Sequence, residues 1–220
     1  MTRLAGYVAA VLAGLGVVGS AGAALAHHPM GATTPDTLGQ GLLSGLGHPI
    51  IGIDHLAFIV AVGIAAAFTP RAWLSPLAFV TATLVGCLLL LGGVVLPIAE
   101  FVISASVIVV GAAILSGRAI PASVYAALFA VAGLFHGFAY GESIVGAETT
   151  PLLAYLVGFV TVQYAIALGA AYAVRALVQA EPGRAGGGLW QAVGPRLAGA
   201  VVAGVGLAFF VEAIEGAVFA

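Results

Sequence analysis

Apolar residues fall along this chain in long blocks, not with the alternation of strands or the one-sided stripe of surface helices. After a polar stretch over residues 27–40, apolar runs recur at about 49–68, 73–91, 97–115, 121–140, 151–175 and 196–219. Each can cross roughly 30 Å of hydrocarbon as a helix rising about 1.5 Å per residue. Four runs open with Pro49, Pro97, Pro121 and Pro151, and proline is tolerated at a first helical position because that N–H has no intrahelical partner. The pattern predicts an all-α, polytopic membrane helical bundle of about six transmembrane helices. Residues 37–47 fit an outer helix, a re-entrant piece or an extension of the first run. The glycine-rich stretch 181–188 is too short to divide domains, so residues 27–220 read as one transmembrane domain.

The N-terminus has the pattern of a targeting segment. Arg3 precedes an apolar stretch over 7–18, and small residues then end in Ala24-Leu25-Ala26, the form a signal peptidase accepts. Residues 1–26 are therefore expected to be a cleaved signal peptide, leaving His27 and His28 at the mature terminus. The alternative is an uncleaved first helix, although its apolar core is short for a span of about 20 residues. With the mature terminus outside, connections near 69–72, 116–120 and 176–195 are cytoplasmic. These hold or adjoin Arg71, Arg118, Arg175, Arg184 and Arg196, while the outer connections hold no arginine. Such asymmetry follows the positive-inside rule and predicts a multi-pass membrane protein whose mature N-terminus is extracytoplasmic.

Composition narrows the function classes. Of 220 residues, 62% are hydrophobic and 6% charged, with a mean hydropathy of +1.21. A soluble domain carries about a quarter charged residues, so the lipid bilayer is the expected surroundings. The six basic residues are all arginine against eight acids, a formal charge of −2, which offers no lysine-rich stripe for nucleic acid. Cys87, the single cysteine, permits neither a disulfide framework nor a thiolate cage within one chain. Small residues spaced by four, Gly133 with Gly137 and Ala165 with Gly169, suit close helix packing. A homo-oligomer stays open.

Ionisable groups at membrane depth cost on the order of 2–3 kcal/mol on insertion scales, so their retention points to an ion or substrate path. In the segment 47–55, Gly-His-Pro-Ile-Ile-Gly-Ile-Asp-His, Pro49 is expected to start the first span, with His48 at its cap and Asp54 and His55 just below the outer surface. A second cluster, Phe135-His136-Gly137-Phe138-Ala139-Tyr140-Gly141-Glu142, closes the fourth run. His136 and Tyr140 are one turn apart, and Gly141 can end the helix before Glu142. The alternating orientation of the runs puts both clusters at one level, so His48, Asp54, His55, His136 and Glu142 form the principal candidate metal site. Glu100, Glu212 and Glu215 belong to the same layer, and His27 and His28 lie on the same side. Gln163, the amide buried mid-span, suits an interhelical hydrogen bond or a path lining.

Imidazole and carboxylate without thiolate suit divalent nickel, cobalt or zinc, and disfavour Cu(I). Mg²⁺ prefers oxygen ligands and retained water. The pattern His-Pro-x-x-Gly-x-Asp-His at 48–55 and the Phe-His-Gly-x-Ala segment at 135–139 resemble the two signatures of the HupE/UreJ family of nickel/cobalt permeases. The resemblance extends over nearly the whole chain. It implies energised secondary uptake of Ni²⁺ or Co²⁺ as transported cargo across the bacterial inner membrane, from the periplasmic side that holds the mature N-terminus, with no permanently bound cofactor, to supply enzymes such as hydrogenase or urease, or cobalamin synthesis. It associates His48, Asp54, His55 and His136 with transport. The second motif departs from the family form: Tyr140 stands where a second histidine is usual, and the acid is Glu142, one place earlier. The expected sequence of events is capture by the outer histidines and acids, partial dehydration at the cluster, and inward release by helix rearrangement. Imidazoles bind metal when neutral, so occupancy should fall as pH drops toward about 6. No Walker A pattern is present in the sequence, and the protein is not expected to be an enzyme. A membrane metalloenzyme and an accessory metal-binding protein remain the alternatives.

Overall fold

The computed structural model describes residues 33–179 and 188–219. The expected signal segment and its cleavage, His27, His28, Arg3, Glu181, Arg184 and most of the 181–188 stretch lie outside them. Among the described residues there are seven α-helices and no strand: α1 (Leu38–Ile51), α2 (Ile53–Ala67), α3 (Ser75–Leu91), α4 (Ala99–Leu115), α5 (Ala122–Glu142), α6 (Thr149–Gln179) and α7 (Val193–Phe219), with a 3-10 turn at Leu189–Gln191 before α7.

Helix α2 is the axis. Every residue over 61–67 is buried, as are Phe58 and Ile59, which is what a helix apolar on all sides requires. Packed around it are α6, α4, α7, α3 and α1. The outer helices associate chiefly in pairs, α3 with α5, α4 with α7 and α1 with α6. Without a hydrophobic force between helices in lipid, close backbone approach supplies the packing energy. A Cβ on Gly137 would overlap the Thr83 backbone of α3, and one on Gly133 would strike Ala82 and Phe79. Ala165 and Gly169 differ from the expectation. Both face outward on α6, and a Cβ on Gly169 would meet nothing within 4 Å.

Helices α5, α6 and α7 are long and apolar enough to cross a membrane. The pair α1 and α2 passes the same test together, bent by 78°, while α3 and α4 are apolar helices of 17 residues, about 26 Å long. A helix thus occupies each of the six apolar runs, and the chain is a helical membrane bundle. The first run needs correction. No helix starts at Pro49, and His48 is not a cap. Thr37 caps α1 through its hydroxyl, α1 continues through His48 and Pro49, and Gly52 interrupts the chain with extended dihedrals, φ −69° and ψ 102°. Proline inside a helix removes one hydrogen bond and crowds the carbonyl four residues back, and the break follows three residues later.

Candidate metal site

The Gly52 break turns two consecutive helix ends toward one point. His48 sits in the last turn of α1, while Asp54 and His55 occupy the first turn of α2. A Cβ on Gly52 would lie 2.7 Å from Cδ2 of His55, so only glycine lets the ring fold back over this backbone. Glu100 lies in the first turn of α4, whose N-cap, Ile98, holds the left-handed conformation at φ 53°. That conformation is strained for a β-branched residue. Glu142 ends α5. His48, Asp54, His55, Glu100, Ala139 and Glu142 together line a cavity of about 20 Å³, room for about one water molecule or a bare ion.

Hydrogen bonds hold the rings. Nδ1 of His55 lies 2.9 Å from Nδ1 of His136, and Nε2 of His136 lies 3.0 Å from the Ser106 hydroxyl on α4. His136 therefore stands behind His55, engaged at both nitrogens, and is absent from the cavity wall. Nδ1 of His48 lies 2.9 Å from the Ser143 hydroxyl and 3.3 Å from that of Tyr155. The Tyr155 hydroxyl itself donates to the Tyr140 carbonyl at 2.6 Å. The Tyr140 ring packs 4.5 Å from His55 and 5.2 Å from His48. His48, Asp54, His55 and His136 are each 2% exposed or less.

Asp54 and the Tyr140 hydroxyl depart from this satisfaction. Oδ2 of Asp54 is 3.8 Å from Nδ1 of His55, but its buried Oδ1 has no hydrogen-bond partner among the described residues. An unmatched buried carboxylate oxygen is costly, and here it belongs to a residue lining a cavity that also carries imidazoles. No three His, Cys, Asp or Glu side chains among the described residues already surround one point as ligands would. The donors border a common space without converging on one point.

The remaining candidates separate. Glu212 lines a groove between α4 and α7 with Phe101, Phe209 and Glu100, so Glu100 faces both that groove and the cavity. Glu215 is exposed, one turn further along α7. Gln163 makes the interhelical bond, donating to the Thr83 hydroxyl at 3.4 Å and to the Phe159 carbonyl at 3.0 Å. No motif in the sequence singles out Ser106, Ser143 or Tyr155. Hydroxyls in apolar helices commonly bond their own backbone one turn back, as Ser106 does to Ile103 at 2.6 Å, and nothing local marks the additional bond to His136. On the far side of the site, Phe58 lies 4.5 Å from His136 and 5.2 Å from Phe79, so aromatic rings close the bundle beneath the histidines.

Comparison with known proteins identifies the family. The HupE / UreJ protein family matches residues 15–209. Protein HupE of Rhizobium leguminosarum bv. viciae is 36% identical over 104 residues, covering 46% of this chain and 54% of that protein. The alignment thus spans about half the length of the curated relative it matches. No solved structure matches the chain.

Proposed function

The chain belongs to the HupE/UreJ family, and from that membership and its donor cluster we propose that it is a permease carrying divalent nickel or cobalt across the bacterial inner membrane, from periplasm to cytoplasm. The observation that carries the reading is the meeting of His48, Asp54, His55, Glu100 and Glu142, from four helices, on one small cavity. Two imidazoles with carboxylates suit borderline divalent ions. The unmatched Oδ1 of Asp54 supplies the anionic charge that would draw a cation from water. A site whose donors converge only on binding suits cargo that must also leave.

In this reading the ion arrives over the acidic layer of Glu100 and Glu212, exchanges part of its hydration shell for His48, His55 and Asp54, and is released when the aromatic rings around Phe58 part. His136 supports His55 from behind. Arg71, Arg118, Arg175 and Arg196, at the opposite end of the bundle, face the cytoplasm. A permanently bound cofactor has no role, and the protein acts as a carrier, not an enzyme. Because neutral imidazole is the binding form, acidification toward about pH 6 weakens binding.

Uptake into proteoliposomes containing only this protein tests the proposal, with Ni²⁺, Co²⁺ and Zn²⁺ in competition. Saturable entry of Ni²⁺ or Co²⁺, abolished in a normally inserted His55→Ala variant, is the expected result. Metal binding without any entry would overturn the permease reading and favour an accessory or enzymatic role. Preferred entry of Zn²⁺ would overturn the choice of metal.

A further inference from the structure

We propose that Ser106 is a positioning residue that, acting through His136, places the ring proton of His55 on Nδ1 and so keeps the metal-binding lone pair on Nε2. This rests on the reading of His55 as a ligand of the cargo. The assignment follows from donors and acceptors alone. The Ser106 hydroxyl has one proton, and its 2.6 Å contact with the Ile103 carbonyl uses it, because a carbonyl oxygen only accepts. Toward His136 the same hydroxyl can then only accept, so the 3.0 Å contact requires a proton on Nε2 of His136. A neutral His136 consequently has its lone pair on Nδ1. Between the two Nδ1 atoms, 2.9 Å apart, the shared proton must belong to His55. A neutral His55 therefore carries its lone pair on Nε2.

The three side chains come from different helices, Ser106 from α4, His136 from α5 and His55 from α2, so the tautomer at the cavity is set by tertiary packing. The environment gives such a relay force. His136 is fully buried and packed against Phe58 and Phe79, which shields it from water that could replace the hydroxyl. Partners that orient ligating histidines by bonding the second ring nitrogen typically change metal affinity about 10- to 100-fold when removed. Here the orienting partner of His55 is itself an imidazole, oriented in turn by a hydroxyl. The Ser143 hydroxyl fixes no tautomer of His48, because it has the Tyr140 carbonyl and the Tyr155 hydroxyl as alternative acceptors.

The test measures proton position and affinity separately on the full-length, metal-free protein in lipid nanodiscs with ¹⁵N-labelled histidine. Two-bond proton–nitrogen spectra, with His55 assigned through His55→Gln, should show the Nδ1–H tautomer in the wild type and in Ser106→Thr. In Ser106→Ala a substantial Nε2–H population should appear. Calorimetric titration with Ni²⁺ and with Co²⁺ should show Ser106→Ala binding about 10- to 100-fold more weakly and Ser106→Thr binding close to wild type, with unchanged thermal midpoints. An Nε2–H His55 in the wild type overturns the inference without any variant. An unchanged tautomer or an unchanged affinity in folded Ser106→Ala also overturns it. If instead His55→Ala binds metal as tightly as the wild type, the ligand reading itself fails, whatever the spectra show.

Discussion

The two ends of helix α2 are built from opposite charges, and they use them differently. At the N-terminal end, Asp54 and His55 face His48, Glu100 and Glu142 across a cavity of about 20 Å³. At the C-terminal end, Arg175 donates from Nε to the Ala67 carbonyl at 2.9 Å and from a terminal N–H to that of Thr69. Beside it lies a cavity of about 110 Å³ lined by Arg118, Phe68, Thr69, Tyr125 and Trp190. Both arrangements suit the helix dipole, which favours anions at the first turn and cations at the last by about 0.3–1 kcal/mol each. The dipole therefore explains why charge is tolerated at both ends and cannot explain why only one end gathers histidines. The difference lies in what each polar group leaves unmatched. Arg175 is committed to backbone carbonyls and closes a helix end, whereas Asp54 keeps a buried oxygen without a partner and His48 and His55 are held by side chains at Nδ1. One end is a structural cap, and the other keeps an unmatched carboxylate oxygen at a residue lining a cavity.

The contrast can be broken most forcefully by removing a cavity imidazole. His48→Ala should reduce Ni²⁺ or Co²⁺ uptake by more than the roughly 100-fold that loss of an outer partner reaches, while Arg118→Ala at the opposite end should change initial rates less than about threefold. Equal losses in proteoliposome flux would erase the distinction between the ends. Next in size, Arg175→Ala should lower stability by about 1.5–3 kcal/mol through the loss of charged hydrogen bonds to the α2 terminus, read as a lower thermal midpoint, with metal affinity by calorimetry nearly unchanged. A lost affinity with an unchanged midpoint would reverse the roles assigned to the two ends. Gly52→Ala pushes a methyl toward Cδ2 of His55 and should weaken metal binding about tenfold, with little change in helix content by circular dichroism. Unchanged affinity would show that the position of the His55 ring is immaterial. The smallest effect is expected of Glu212→Gln, a two- to threefold slower uptake at roughly 10 mM salt that disappears near 0.5 M, because a groove charge acts at long range and is screened.

Much of this was legible along the chain. The apolar runs over 73–91, 97–115 and 121–140 end within a few residues of α3, α4 and α5, because lipid imposes one length and one polarity on any segment that crosses it. The arginines Arg71, Arg118, Arg175 and Arg196 gather at one end and Asp54, Glu100 and Glu142 at the other, as their spacing relative to the runs implies. The first run departs from its local pattern at Pro49, which is compatible with a helix start yet lies inside α1. The preceding turns stay helical because α1 packs along α6, where Gly41 and Gly45 meet the backbone at Pro151 and Tyr155. Ala165 and Gly169 carry a packing spacing but point away from the bundle, since spacing does not say which face of a helix meets a neighbour.

By itself, then, the sequence determined the class of solvent, the helical architecture and the sorting of acids and imidazoles from arginines, since each follows from local hydropathy and from charge counted along the chain. Only the tertiary structure decided which imidazole lines the cavity and which stands behind it. His55 and His136 are both buried histidines beside an acid or an aromatic, and nothing local separates their roles. A 78° bend at Gly52 and a serine on a third helix separate them, because the roles of two ring nitrogens are set by hydrogen bonds between residues 30 and 81 positions apart.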